Sequence, residues 1–152
     1  MGRIIAIANQ KGGVGKTTTA INLSACLAES GQKVLTVDFD PQGNATSGLG
    51  IEKGEIDKTV YDLLVGECDI EECLISNMQE NLDLLPSNVD LAGAEIELLE
   101  IENKESLLKT YLSKIQNNYD FIIIDCPPSL NLLTINALTA ANTVLVPIQC
   151  EY

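Results

Sequence analysis

Short, solidly apolar runs recur along the chain, separated by longer stretches of mixed character. Ile4-Ile5-Ala6-Ile7-Ala8 is one, Val34-Leu35-Thr36-Val37 another, and Phe121-Ile122-Ile123-Ile124 a third. Runs of this length without polar alternation fit strands buried on both faces. The pattern predicts strands over 3–8, 33–38, 73–76, 82–86, 120–125 and 143–148. It predicts helices over 16–30, 59–64, from a cap at Asp90 to about Leu99, 104–117 and 130–141. The stretch from the second strand through Gly50 reads as loop. Within 104–117, Leu107, Leu108, Tyr111, Leu112 and Ile115 fall at helical spacing. Strands alternating with helices imply an α/β fold, a mostly parallel sheet with helices on both faces. The 152 residues suffice for one domain with its own core, spanning 1–152.

The junction of the first strand and first helix carries the strongest chemical signal. It reads Lys11-Gly12-Gly13-Val14-Gly15-Lys16-Thr17-Thr18. Strand, glycine-rich loop, Lys-Thr and helix make up a phosphate-binding P-loop. Glycines let several backbone N–H groups turn into one concavity, and the helix adds the positive end of its dipole. Lys16 then supplies charge to the β- and γ-phosphates, and Thr17 offers its hydroxyl to Mg²⁺. N–H groups from Gly13 to Thr18 complete the cradle, with Thr18 placed to reach the α-phosphate. The usual pattern has glycine where this chain has Gln10, and a second lysine, Lys11, heads the loop.

Two further segments bear carboxylates. Asp125 ends an apolar strand, so it emerges at the carboxyl edge of a parallel sheet, where ligands bind. Pro127-Pro128 then enforces a rigid turn. Asp38 and Asp40 are two apart and face one side of an extended chain. Carboxylates facing a polyphosphate require a cation between them, which again indicates Mg²⁺.

The loop from Lys11 to Thr17 resembles the deviant Walker A motif of the ParA/MinD superfamily. The run Asp38-Phe39-Asp40-Pro41-Gln42-Gly43-Asn44 is similar to a switch segment of the ParA/Soj partitioning ATPases. Ile124-Asp125-Cys126-Pro127-Pro128-Ser129 resembles their Walker B strand and second switch. The three motifs stand in the family's order. The resemblance implies a P-loop ATPase domain, its amino-terminal part, since family members continue beyond the position of Tyr152. It implies ATP or ADP with Mg²⁺ as ligands, with Lys11, Gly12, Gly13, Val14, Gly15, Lys16, Thr17 and Thr18 holding the nucleotide. Thr17, Asp38 and Asp125 would serve the metal, Asp38 in its outer shell and Asp125 through a water. Lys11, Lys16 and Asp40 would be catalytic, with Asp40 positioning the attacking water. Lys11 would reach across a two-fold axis to the nucleotide of a second copy, with Gly12 at that contact.

The resemblance further implies an ATP-dependent homodimer, a ParB-type partner protein, and non-specific DNA binding by full-length members. Chromosome or plasmid partitioning is the expected process. A MinD-like division-site regulator is the alternative within the superfamily, but it needs an amphipathic membrane tail and lacks the Pro-Gln-Gly-Asn run. A nucleotide-binding module with little turnover is a second alternative. An electron carrier of the nitrogenase-reductase kind would need a set of cluster cysteines that Cys126 and Cys150 do not present.

Charge and cysteines adjust this picture. Sixteen acidic and three basic residues lie within 52–105, while the remainder balances at six and six. That stretch repels phosphates, so DNA binding is not expected of this chain. A solvated face serving solubility is the plainer reading of it. There is no histidine, which excludes Cys/His zinc sites. The five cysteines, Cys26, Cys68, Cys73, Cys126 and Cys150, show no C-x-x-C pair. They read as reduced apolar fillers, with Cys126 left open because it adjoins Asp125. No apolar run reaches the roughly 18 residues of a membrane span. Met1-Gly2-Arg3 leads directly into a strand without a signal-peptide pattern. The expected location is the cytoplasm, associated with the nucleoid in full-length members, with no membrane contact.

Overall fold

The computed structural model describes residues 2–9 and 15–148. In chain order its strands are β1 (Arg3–Ile7), β2 (Val34–Asp38), β3 (Ile75–Gln79), β4 (Leu82–Leu85), β5 (Phe121–Asp125) and β6 (Thr143–Leu145). They form one sheet in the order β3-β4-β2-β5-β1-β6. Every neighbouring pair is parallel except β3 with β4. The helices are α1 (Lys16–Glu29), α2 (Asn44–Gly48), α3 (Val60–Leu64), α4 (Ile70–Cys73), α5 (Ala94–Glu97), α6 (Leu107–Ser113) and α7 (Leu132–Ala140), joined in places by single 3-10 turns.

The solid apolar strands are explained by burial on two sides. Ile4, Ala6, Leu35, Val37, Ile122 and Ile124 enter one core with residues of α3 to α7, such as Leu63, Ile70, Leu108, Leu112 and Ala137. Their sequence neighbours Ile7, Val34 and Ile123 enter a second core with Ala20 and Ala28 of α1. Each fully buried Ile or Leu contributes about 1.5–3 kcal/mol. Thr36 interrupts the apolar run of β2 without penalty because its hydroxyl donates to Ser24 Oγ on α1 at 2.8 Å.

Register places the chemistry. Asp125 at the end of β5 lies opposite Ile7 of β1 and Asp38 of β2. The ends of three adjacent central strands therefore open onto one edge, from which α1 departs.

The long elements match their sequence expectations to within a residue or two, and the irregular ones do not. Residues 44–48, expected as loop, form α2. Gly43 enters it at φ 65°, and a Cβ there would sit 3.2 Å from the Ser87 carbonyl oxygen. Asp38, at the end of β2, accepts from Thr46 inside α2 and holds the turn. Cys73, expected in a strand, ends α4, where Asp69 and Glu72 make a reciprocal cap. Residues 89–93 are a 3-10 turn capped by Asn88 rather than Asp90, leading into the short α5. The expected 104–117 helix divides into two 3-10 turns flanking α6. α7 begins at Leu132, not 130, because Asn131 caps it by accepting from Thr134 N. The strand expected at 73–76 lies at Ile75–Gln79, where β3 pairs antiparallel with β4 as a half-exposed edge strand. At the other edge β6, expected over 143–148, ends at Leu145 and leaves Val144 and Leu145 exposed. Among the described residues no helix is long and apolar enough to cross a membrane.

Candidate functional site

Gly15 sits at the N-cap of α1 with φ 76°, a conformation that L side chains rarely adopt. It turns the chain so that Lys16 and Thr17 form the first helical turn at the sheet edge. Lys16 is buried, Thr17 half-buried and Thr18 exposed. The Lys16 Nζ lies 3.1 Å from Asp125 Oδ1 and 3.7 Å from Asp40 Oδ2. Thr17 Oγ1 donates to Asp125 Oδ2 at 2.8 Å. One buried ammonium thus faces carboxylates from two strand ends, and the lysine and threonine share one of them. Lys11, Gly12, Gly13 and Val14 lie outside the described residues.

Asp38 points inward from the end of β2. Its Oδ2 accepts from Thr46 N at 2.8 Å and Thr46 Oγ1 at 2.6 Å, and its Oδ1 accepts from Asp40 N at 3.2 Å. Asp40 Oδ1 accepts from Gln42 N at 3.0 Å, which shapes the following turn. Ser87, at the carboxyl end of β4, closes the arrangement. Its N–H donates to Thr46 Oγ1 at 3.1 Å and its hydroxyl to the Asp40 carbonyl at 2.8 Å. The segment bearing Asp40 is therefore held from below by Asp38, Thr46 and Ser87. Sequence reasoning found Asp38 and Asp40 but not the roles of Thr46 and Ser87. No spacing rule could have found Ser87, which lies 41 residues from Thr46.

Burial dominates the electrostatics. It pushes the Asp38 carboxyl up to about 6, opposed by the Thr46 and Asp40 hydrogen bonds and reinforced by the Asp125 charge. It also raises Asp125, against the pull of Lys16 and Thr17. The Cys126 thiol is pushed up to about 12, first by burial and then by Asp125. It stays a neutral filler at ordinary pH. The hard oxygens at this edge are the Thr17 hydroxyl and the Asp125 and Asp40 carboxylates, while both Asp38 oxygens are engaged by Thr46 and Asp40 N. Such a set suits Mg²⁺ bound through one or two carboxylates and a phosphate, not a thiophilic metal.

A glycine-capped helix opening with Lys-Thr, beside carboxylates from two neighbouring strand ends, defines a P-loop α/β protein. Family comparison agrees: the chain belongs to the AAA_31 family, described as an AAA domain, which matches residues 2–152. It is 60% identical over 152 residues to the sporulation initiation inhibitor protein Soj of Bacillus subtilis, covering 100% of this chain and 60% of that protein. It is 53% identical to the chromosome-partitioning ATPase Soj of Treponema pallidum, covering 100% of this chain and 59% of that one. Among solved structures, cobyrinic acid a,c-diamide synthase from Mycobacterium smegmatis with bound ATP analogue and magnesium superposes with a TM-score of 0.95. That protein is 47% identical, with 100% of this chain and 62% of its own covered. The chain thus spans about 60% of the length of these relatives and corresponds to the amino-terminal portion of Soj/ParA-type proteins.

Proposed function

We propose that this chain is the nucleotide-handling portion of a ParA/Soj-type ATPase that acts in chromosome or plasmid partitioning. The observation that carries the reading is Lys16 between Asp125 and Asp40, with Thr17 on Asp125. Lys16 and the N–H groups from Gly13 to Thr18 bind the phosphates of ATP or ADP. Thr17 and Asp125 hold Mg²⁺, with Asp38 in its outer shell. When bound, Mg²⁺ neutralises charge on the phosphates. Asp40 orients the water that attacks the terminal phosphate, and the Asp38–Thr46–Ser87 lock keeps it aimed. Lys11 acts across a dimer contact, as an arginine finger would, with Gly12 at the closest approach. A ParB-type protein is the expected partner, and the cytoplasm the expected location. The amide-synthase name of the M. smegmatis protein offers a second reading built on the same phosphate site. Higher identity to the Soj proteins favours partitioning.

Titration of the chain with ATP or ADP and Mg²⁺, followed by turnover measurement, tests the nucleotide reading. Light scattering with ATP tests association. Gly12→Val should abolish an ATP-dependent dimer while the chain stays folded, and an undiminished dimer removes Gly12 from the contact.

A further inference from the structure

Two cysteines with no recognisable spacing meet where α3 gives way to α4. Cys68 lies in the turn after α3 and Cys73 is the last residue of α4. Their Sγ atoms stand 2.6 Å apart. That is only roughly 0.5 Å longer than a covalent sulfur–sulfur bond. The turn between them is built to hold this approach. Asp69 caps α4, Glu72 returns to the Asp69 backbone N–H, and Glu72 N donates to the Asp69 carbonyl at 3.1 Å. On its far side the Cys73 thiol faces the carbonyl oxygens of Thr59 at 3.5 Å and Asp69 at 3.6 Å. Cys26, exposed on α1, and Cys126, buried at the end of β5, have no comparable sulfur contact among the described residues.

We propose that Cys68 and Cys73 are a modification site, a dithiol that closes reversibly into an intramolecular disulfide at the α3–α4 junction. The two thiols differ in access, which sets their order of reaction. Cys68 is half-buried, whereas Cys73 is 2% exposed. A small-molecule disulfide therefore meets Cys68 first. The Cys68 thiolate attacks one of its sulfurs, breaks that S–S bond, and releases one small thiol. The Cys73 thiolate then attacks the Cys68 sulfur of the mixed disulfide and expels the second small thiol. Two protein thiols are oxidised, one external disulfide is reduced to two thiols, and both protein protons end on the departing thiols. Burial raises both thiols above their ordinary range, so exchange quickens as the solution becomes alkaline. Once closed, the bond ties the turn that follows α3 to the last residue of α4. Closure gives up the weak thiol donation from Cys73 to the Thr59 carbonyl in exchange for the covalent bond.

The test is oxidation of the folded chain with oxidised glutathione at mildly alkaline pH, followed by unfolding in denaturant, alkylation of all free thiols and intact-mass measurement. The expected product has lost two hydrogens and leaves three of the five cysteines alkylatable. Peptide mapping should join Cys68 to Cys73. The melting temperature should rise by roughly 5 °C, as expected for a short closed loop, and fall back with dithiothreitol. Five alkylated cysteines, a persistent glutathione adduct on Cys68, or a bond between any other pair would overturn the proposal. Cys73→Ser puts a hydroxyl in a buried place and can unfold the chain, so Cys68→Ser is the deciding variant. It should abolish both the mass loss and the thermal shift. Persistence of either in a variant that is folded by circular dichroism also overturns it.

Discussion

The carboxylates at the ends of β2 and β5 and those of the 52–105 stretch meet opposite conditions. Asp38, Asp40 and Asp125 are buried, and every one of them is engaged by a lysine, a hydroxyl or a backbone N–H. Along the 52–105 stretch Glu71, Glu72, Glu80, Glu100 and Glu102 are exposed. Several carboxylates there do local work. Asp62 returns to the Thr59 N–H, Glu55 to Glu52 and Glu72 to Asp69, each closing the first turn of a short helix. Negative charge at a helix N-terminus is favourable but modest in water. The same side chain thus caps a turn when solvated and pairs with a buried lysine or hydroxyl when desolvated. Coulomb energy at a few ångströms is several-fold larger in the interior than in water, so burial and not charge count marks the candidate site.

Variants can break this comparison, beginning at the buried edge. Lys16→Ala removes the ammonium that Asp125 and Asp40 share and the charge proposed to meet the phosphates. Affinity for Mg-nucleotide should fall by roughly 100-fold or more, measured by calorimetric titration of folded protein. Unchanged affinity would show that the buried lysine is only an ion-pair partner.

Asp40→Ala separates binding from turnover. It should keep nucleotide affinity and slow hydrolysis by roughly 100-fold or more, in single-turnover assays on a chain extended to the length of its relatives. A normal rate would take Asp40 out of the reaction.

Asp38 gives a pH test. Its carboxyl is held up to about 6 in the folded chain against an ordinary value of 3.8. Folding therefore favours the protonated form. That contribution is complete below the ordinary value and is lost as pH rises through about 6. Asp38→Asn cannot titrate, so its stability relative to the parent should rise by up to roughly 3 kcal/mol as pH goes from about 4 to above 6. Denaturant unfolding at the two pH values reads this directly, and a pH-independent difference would mean that Asp38 is not desolvated as described.

At the solvated region the effects should be small. Glu100→Gln should move the melting temperature by no more than about 2 °C. The intact acidic stretch should keep duplex DNA from binding in a mobility shift at low salt with ATP. Micromolar, steeply salt-sensitive binding would show that the acidic face does not govern nucleic-acid contact.

The central elements were legible because their signals are local. Ile4–Ala8, Val34–Val37 and Phe121–Ile124 declare buried parallel strands by composition alone, and the loop ending in Gly15-Lys16-Thr17 declares a phosphate site by spacing. The irregular parts were not legible. α2 exists because Gly43 takes a left-handed turn and Asp38 receives Thr46, although Asn44-Ala45-Thr46-Ser47-Gly48 is a weak helix former. The segment 104–117 has a helical pattern yet is broken at both ends. Asn136 of α7 accepts from Leu108 N and donates to the Lys104 carbonyl, tying that segment's start to another helix.

Sequence by itself determined the class of fold, the Lys16-Thr17 start of the first helix and the carboxylates at the strand ends, since each follows from periodicity or short-range spacing. Tertiary structure alone decided that Asp125 pairs with both Lys16 and Thr17, that Thr46 and Ser87 lock the Asp40 segment, and that Cys68 meets Cys73. The first two of these contacts depend on sheet order and register, which bring together residues from 41 to 109 positions apart. The third depends on a capped turn whose geometry no spacing rule encodes. Desolvation follows from the same packing, which is why the buried carboxylates behave differently from sixteen others that read alike along the chain.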